Sequence, residues 1–354
     1  MPIGEILTRL LPPIRTVDRG WLAKAEARQL SLTKPPGSLG RLEEVANRVA
    51  AIQQTLAPTV EAAQIIVFAG DHGVTAEGVA PYASAVTAQM VANFLAGGAA
   101  VNALAAVAGA GVTVVDIGVA SAAPPAPGVR GRRVARGTKN MLREPAMTHD
   151  EVIAAVAVGI ELGLDAAERV DMIGLGEMGI GNSTAAGAIT AALTGLPAAS
   201  VTGRGTGADD AMLLRKIAVI EEALRERQPD PRDGLDVLAK VGGLEIAGLV
   251  GVVLAGAATR RVVVSDGFIA TAAAAVAVRL CPAAADYLVA AHRSIEPGHA
   301  ALLQVIGQEP LLDLRMRLGE GTGAALAFGV IRAAVAAFTR MATFEAAGVS
   351  DRSA

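Results

Sequence analysis

QIIVFAG, at residues 64–70, is followed at once by Asp71-His72-Gly73 and decides the fold. The run is apolar without the in/out alternation of a strand that has one wet face. Such a segment suits a parallel strand covered on both sides. Similar runs recur as VTVVDIG (112–118), DMIGLG (171–176), RVVVSD (261–266) and DYLVAA (286–291). Between and after them lie longer, Ala-rich stretches that read as helices at 84–106, 150–168, 183–194, 209–227, 244–259 and 322–342. Strands alternating with helices predict an α/β fold, a mostly parallel sheet flanked by helices. Thr148 and Thr322 are expected N-caps. Residues 1–46 read as separate helices joined at Pro35-Pro36-Gly37, a small helical subdomain packing with 336–354; residues 60–335 form the α/β catalytic domain.

Composition narrows the function. The chain has 354 residues, 52% of them hydrophobic and 3% aromatic, with 40 glycines, so its apolar volume comes from small aliphatic side chains. A net charge of −3 argues against a nucleic-acid partner, which a basic stripe would attract. The local cluster Arg130-Gly131-Arg132-Arg133, with Arg136 and Lys139, reads as a solvated loop. Cys281 is the only cysteine, which rules out an intrachain disulfide, and it reads as a buried structural thiol. The opening MPIGEILTRLLPPI carries Glu5 and Arg9 and no basic leader with a cleavage site, so it reads as a short amphipathic helix and the compartment as cytoplasmic. Residues 78–115 and 178–203 hold no charged side chain. Pro81, Gly97-Gly98, Asn182 and Pro197 interrupt them, so they read as core or subunit-interface helices of a homodimer, not membrane spans.

In open parallel sheets, chemistry gathers beyond the carboxyl ends of the strands. Here those ends carry Asp71-His72-Gly73, Glu177-Met178-Gly179, Ser265-Asp266-Gly267 and His292-Arg293-Ser294. GLGEMGIG (174–181) contains a G-x-G-x-x-G turn. The ribose-binding acid that a dinucleotide fingerprint needs about 20 positions later is missing. Gly179 and Gly181 are therefore read as letting Glu177 and backbone N–H groups reach a ligand, with Asn182, Ser183 and Thr184 capping the next helix. GRGTGADD (203–210) is either a phosphate-cradling turn, with Gly203, Arg204, Gly205 and Thr206 assisted by Lys216, or a helix start capped by Asp209. The chain has four histidines and no H-x-x-x-H spacing, so no metal site is expected. RLGEGTGAAL (317–326) sets Glu320 between Gly319 and Gly321. That carboxylate is either a loop anion in water or a base facing a pocket.

Together these pieces resemble the nicotinate-nucleotide–dimethylbenzimidazole phosphoribosyltransferase family. The resemblance rests on TKPPGSLGRLE (33–43), FAGDHGV (68–74), VTAQMV (86–91), GEMGIGNST (176–184), GRGTG, SDGFI (265–269), HRSIEPGH (292–299) and LGEGTGA (318–324). It implies a Rossmann-like domain with a small helical one, assembled as a homodimer. It also implies transfer of phosphoribose from nicotinate mononucleotide to 5,6-dimethylbenzimidazole, giving α-ribazole 5′-phosphate and nicotinate. Glu320 matches the family's catalytic base. The phosphoribosyl and nicotinate positions would be Glu177, Gly179, Gly181, Asn182 and Ser183, then Gly203, Arg204, Gly205 and Lys216. Ser265, Asp266, His292 and Ser294 complete that set. The benzimidazole would meet Tyr82, Ser84, Gln89 and Met90, with Met178 and Leu318 as walls. No metal or organic cofactor is required, because the leaving pyridinium departs as a neutral ring and only the acceptor's N–H must be removed.

Overall fold

In the computed structural model, residues 10–121 and 126–350 are described; the reading of the first nine residues lies outside them. Among the described residues, helices α1 (Arg19–Ser31) and α2 (Arg41–Gln53) lead into strand β1 (Ala63–Gly70). Next come α3 (Ala85–Leu95), α4 (Ala100–Val107), β2 (Ala110–Gly118), β3 (Arg130–Gly131), α5 (His149–Ala167) and β4 (Met172–Met178). The second half runs α6 (Asn182–Thr194), α7 (Asp210–Arg227), α8 (Gly234–Val241), α9 (Leu244–Ala258), β5 (Val262–Ser265), α10 (Phe268–Leu280), β6 (Leu288–Ala290), α11 (Gly298–Val305) and α12 (Thr322–Arg340). Each of the expected strands forms, and all pair in parallel in one six-stranded sheet of order β3-β2-β1-β4-β5-β6. The order reverses between β1 and β4. A reversal of this kind opens a crevice at the carboxyl ends of the two strands.

Side chains alternate faces along β1, and the two faces have different covers. Ile65 and Val67 point toward α12, where bare Gly174 and Gly176 of β4 let the first turn of that helix approach. Phe68 points to the opposite face, against Gly248 of α9. Helix α9 in turn meets α5 backbone to backbone. A Cβ on Gly159 would sit 1.8 Å from the Gly248 carbonyl oxygen, and one on Gly251 2.1 Å from the Val156 oxygen. Small residues thus set the spacing of that layer. Helices α1 and α2 pack together, and α2 lies on α12. Thr33 N–H donates to the Ala342 carbonyl (3.1 Å) and Arg28 Nε to that of Phe338 (3.0 Å), so both ends of the described chain meet on one side.

Several expectations need correction. The helix read across 84–106 is two helices, because the chain turns left-handed at Gly97 (φ 75°) before α4 begins. The basic cluster is not simply a solvated loop. Arg130 and Gly131 form edge strand β3, Arg132 pairs with Glu161, and Arg133 reaches the buried Asp116 at 2.7 Å. Cys281 is only partly buried. Helices α8, α10 and α11 have no counterpart in the sequence reading. Segment 85–107 and α12 both have the length and apolarity of a membrane span, yet the first is broken and the second lies against β4, β1 and α2.

The α5–α9 contact yields a stability test. Gly159→Val should destabilise the fold by about 3 kcal/mol or more in urea unfolding, since overpacking here meets backbone that cannot yield. Gly329→Ala, where an added Cβ meets nothing within 4 Å, should be neutral or stabilise by up to about 1 kcal/mol.

Candidate active site

A cavity opens beyond the carboxyl ends of β1, β4, β5 and β6. Its lining includes Pro81, Glu177, Met178, Ser183, Lys216, Asp266, His292, Ser294, Glu296 and Leu318. One end is cationic. Lys216, on α7 and only 1% exposed, donates from Nζ to Ser183 Oγ (3.0 Å) and to the Gly203 carbonyl (2.9 Å). Across from it, Glu296 accepts the Gly205 N–H at 2.9 Å, and a Cβ on Gly203 would stand 2.2 Å from the same carboxylate. Burial lowers the Lys216 pKa from its ordinary value, and Glu296 opposes that shift. Arg204 lines the cavity, yet its guanidinium bonds the Ala208 carbonyl and Asp210 and so secures its own turn. Asp209 caps α7 through Met212 N–H at 2.8 Å, so that segment is a capped helix start as well as a cavity wall.

The other end is anionic. Gly319, Glu320 and Gly321 all adopt positive φ (84°, 64° and 90°). For a glutamate that conformation costs of order 1 kcal/mol and persists where the surroundings impose it. The turn is pressed against the sheet: a Cβ on Gly176 would lie 2.7 Å from the Glu320 carbonyl oxygen, and one on Gly319 2.1 Å from Glu177 Oε1. Glu320 is 5% exposed, with Oε2 unpartnered, and its carboxylate meets the Val101 N–H in the first turn of α4. It lies behind Gly319, which lines the cavity, and is not itself a lining residue. Thr322 is not the N-cap of α12. Gly321 holds that position, and Asp266, from the end of β5, accepts the N–H groups of Gly321 (3.1 Å), Gly323 (2.6 Å) and Ala324 (3.2 Å). Nor do Asn182, Ser183 and Thr184 cap α6. Gly181 is its N-cap residue, with φ 96°, and the Asn182 amide donates to Glu177.

Burial above all, with neighbouring carboxylates after it, sets the protonation states. Burial foremost, then the Asp266, Glu245 and Glu320 charges, push Glu177 up to about 8 against the Asn182 bond. Burial raises Asp266 to about 6, opposed by His292 and the three backbone N–H groups. Burial also raises Glu320, with Val101 opposing and Asp266 adding to the rise. Burial drops His299 to about 3, so it is neutral. Its Nδ1 accepts from Ser294 N–H (2.9 Å), which puts the ring proton on Nε2, 3.0 Å from Thr271 Oγ1. Thr271 in turn bonds Ser265 Oγ at 2.7 Å, a buried chain that ties the loop at Ser294 to β5.

Most of the expected binding residues meet here: Glu177, Gly179, Gly181, Asn182, Ser183, Arg204, Gly205, Lys216, Asp266, His292, Ser294, Met178 and Leu318 all line the cavity. Ser265 does not; fully buried and bonded to Thr271, it stands one layer behind. Gly203 contributes its carbonyl to Lys216 from outside the lining. Tyr82 is 52% exposed, Gln89 is exposed, Met90 is half-buried, and Ser84 bonds Thr75 Oγ1 at 3.0 Å; none of the four lines the cavity in the single chain. Two residues escaped the sequence reading. Glu245, fully buried, pairs with His72 at 2.8 Å beneath Gly179 and Gly181, and Thr87 accepts the Ile180 N–H at 3.1 Å. Burial pulls the His72 pKa down, but Glu245 more than reverses this, so the net shift is upward. The sequence signal for Glu245 was available: it is the only charge in the otherwise apolar α9. No cluster of three or more His, Cys, Asp or Glu able to hold a metal occurs among the described residues.

Comparison with known proteins places the chain in a family. Residues 14–349 match the family profile described as "Phosphoribosyltransferase". The nicotinate-nucleotide–dimethylbenzimidazole phosphoribosyltransferase of Geobacter metallireducens is 54% identical over 345 residues, covering 97% of this chain and 98% of the relative. That of Chloroflexus aurantiacus is 56% identical over 349 residues, covering 98% and 99%. The crystal structure of the Thermus thermophilus protein of that name superposes with a TM-score of 0.89 at 45% identity, covering 95% of this chain and all of that one. With its six parallel strands, its cavity at their carboxyl ends and identity over nearly its whole length, this chain belongs to the nicotinate-nucleotide–dimethylbenzimidazole phosphoribosyltransferase family.

Proposed function

We propose that this chain moves the 5-phosphoribosyl group of nicotinate mononucleotide onto 5,6-dimethylbenzimidazole, yielding α-ribazole 5′-phosphate and nicotinate, with Glu320 as the general base. The observation that carries the reading is the charge layout: a cationic end built on Lys216, and an anionic end where Glu177, Asp266 and Glu320 gather. The phosphate belongs at the first, with Lys216, Ser183 and the Gly203–Gly205 turn. The reacting sugar carbon belongs at the second.

The C1′–N bond to the pyridinium breaks, and its electron pair stays on the departing nicotinate ring, which leaves neutral at nitrogen. One benzimidazole nitrogen forms the new bond from the opposite face, and the proton on the other goes to the Glu320 carboxylate. The sugar carbon is inverted to the α configuration. Charge at that carbon is oxocarbenium-like in the transition state, so nearby carboxylates favour it. Burial equips Glu320 for this role by raising its proton affinity toward the working pH. Glu177, held at about 8, is protonated at neutral pH and offers a donor O–H. Met178 and Leu318 supply apolar wall.

The benzimidazole-side residues Tyr82, Ser84, Gln89 and Met90 sit on and before α3, whose exposed surface continues onto α4, where Val107 is 89% exposed. We propose that a second copy of the chain covers this face and completes the acceptor pocket, and that the enzyme works in the cytoplasm. Light scattering on the eluting protein at micromolar concentration should give twice the chain mass; a monomer there contradicts the dimer.

Glu320→Gln should lower kcat by about 10²–10⁴-fold while the variant still binds dimethylbenzimidazole by calorimetry. Lys216→Met should cut kcat/KM for nicotinate mononucleotide by about 10–100-fold, the worth of a charged hydrogen bond, and leave the phosphate-free nicotinate riboside unaffected. The raised Glu177 pKa has a stability consequence. Its contribution is fully present below the ordinary 4.5 and is lost as pH rises through about 8. Glu177→Gln should therefore gain stability over wild type across that window, by up to about 1.4 kcal/mol per pH unit, in denaturant titrations at stepped pH.

A further inference from the structure

We propose that Asp266 is a positioning residue that aims Glu320: although the residue lines the cavity, its carboxylate caps the first turn of α12, and both oxygens are taken by that helix start and not by substrate. The proposal rests on the reading of Glu320 as the base.

A helix start leaves N–H groups without partners inside the helix. Helix α12 has no side-chain cap of its own, because glycine holds its N-cap position. Asp266 supplies the acceptors, taking Gly321 N–H on Oδ2 (3.1 Å) and Gly323 and Ala324 N–H on Oδ1 (2.6 and 3.2 Å). These bonds cross more than 50 residues of sequence. They join the rigid end of β5 to a turn in which Glu320 immediately precedes the first bonded N–H. The turn is left-handed at a residue that disfavours it, so an outside restraint is needed to hold it.

Asp266 is 2% exposed, and both its oxygens are engaged by the chain's own N–H groups. His292, the nearest cationic candidate, stands 3.9 Å from Oδ1, beyond hydrogen-bond range. Gly323 is bare for the same purpose: a Cβ there would lie 2.7 Å from Asp266 Oδ1 and 2.1 Å from His292 Cδ2. The charged and polar groups around Glu320 are Asp266 from β5, Glu177 from β4 and the Val101 N–H of α4; those around Asp266 are His292, Glu177 and the three α12-start N–H groups. Removing the Asp266 charge also removes one cause of the raised Glu320 pKa.

The test is steady-state kinetics on Asp266→Ala and Asp266→Asn over a range of pH, with thermal melts and with Glu320→Gln in parallel. Asp266→Ala should lose about 10²-fold in kcat, the cost of misplacing a reacting group by about an ångström. KM for nicotinate mononucleotide should change little, and the acid limb of the kcat/KM profile should move to lower pH. Asp266→Asn keeps an acceptor for Gly323 but turns a donor toward Gly321, so it should fall between Ala and wild type. Wild-type kcat in either folded variant overturns the proposal, as does a raised KM with unchanged kcat, which marks direct contact with the donor. If Asp266→Ala does not fold, Asp266→Asn decides by the same split. Full turnover in Glu320→Gln defeats the base reading itself; an inactive Glu320→Gln beside fully active Asp266 variants defeats only the positioning.

Discussion

The arrangement depends on one contact: the left-handed turn at Gly319-Glu320-Gly321 packed onto the bare backbone of Gly176 at the end of β4. Only glycine at 176, 319 and 321 lets the turn lie so close. Only that closeness puts a carboxylate in a nearly dry place beside a cavity. A carboxylate in water cannot take a proton usefully near neutral pH; one that burial has deprived of solvent can. The sheet, its cover of α12 and the interruption between α3 and α4 all serve that placement, since Val101 of α4 closes the far side of the Glu320 carboxylate.

Charge is segregated along the cavity. Lys216 and the Ser183 and Gly205 region form one end, proposed for the phosphate, while the carboxylates of Glu177, Asp266 and Glu320 gather at the other. Burial, and after it the neighbouring carboxylates, hold Glu177 protonated at neutral pH. What remains is a negative field at the end proposed for the sugar carbon, where an oxocarbenium-like transition state carries positive charge. Preorganised charge of this kind acts without reorganising during the reaction. Beneath the cavity, the His72–Glu245 pair packs under Gly179 and Gly181, and the Glu245 charge adds to the Glu177 environment.

Much of this was legible in the sequence. Continuous apolar runs such as QIIVFAG and the polar residues after them located the strands and the cavity, because burial on both faces leaves a pattern that a local reading can see. Gly319 and Gly321 flanking Glu320 marked the turn. What stayed hidden depends on contacts distant in sequence. The cap of α12 looked like Thr322 because capping is usually local, whereas the acceptor is Asp266, more than 50 residues away. Strand β3 is two residues long and carries no apolar signature, so Arg130 and Gly131 read as loop. Ser265 carries the polarity expected of a strand end but spends its hydroxyl on Thr271. The split between α3 and α4 turns on Gly97, whose backbone freedom competes with an otherwise helical composition.

The most direct measurement is a crystal structure of this protein with 5,6-dimethylbenzimidazole and a donor fragment bound. The account requires a Glu320 carboxylate oxygen within about 2.6–3.2 Å of a ring nitrogen, with the other ring nitrogen facing the phosphate-anchored sugar. A heterocycle whose N–H points to solvent, or is held by another residue with Glu320 out of reach, contradicts it.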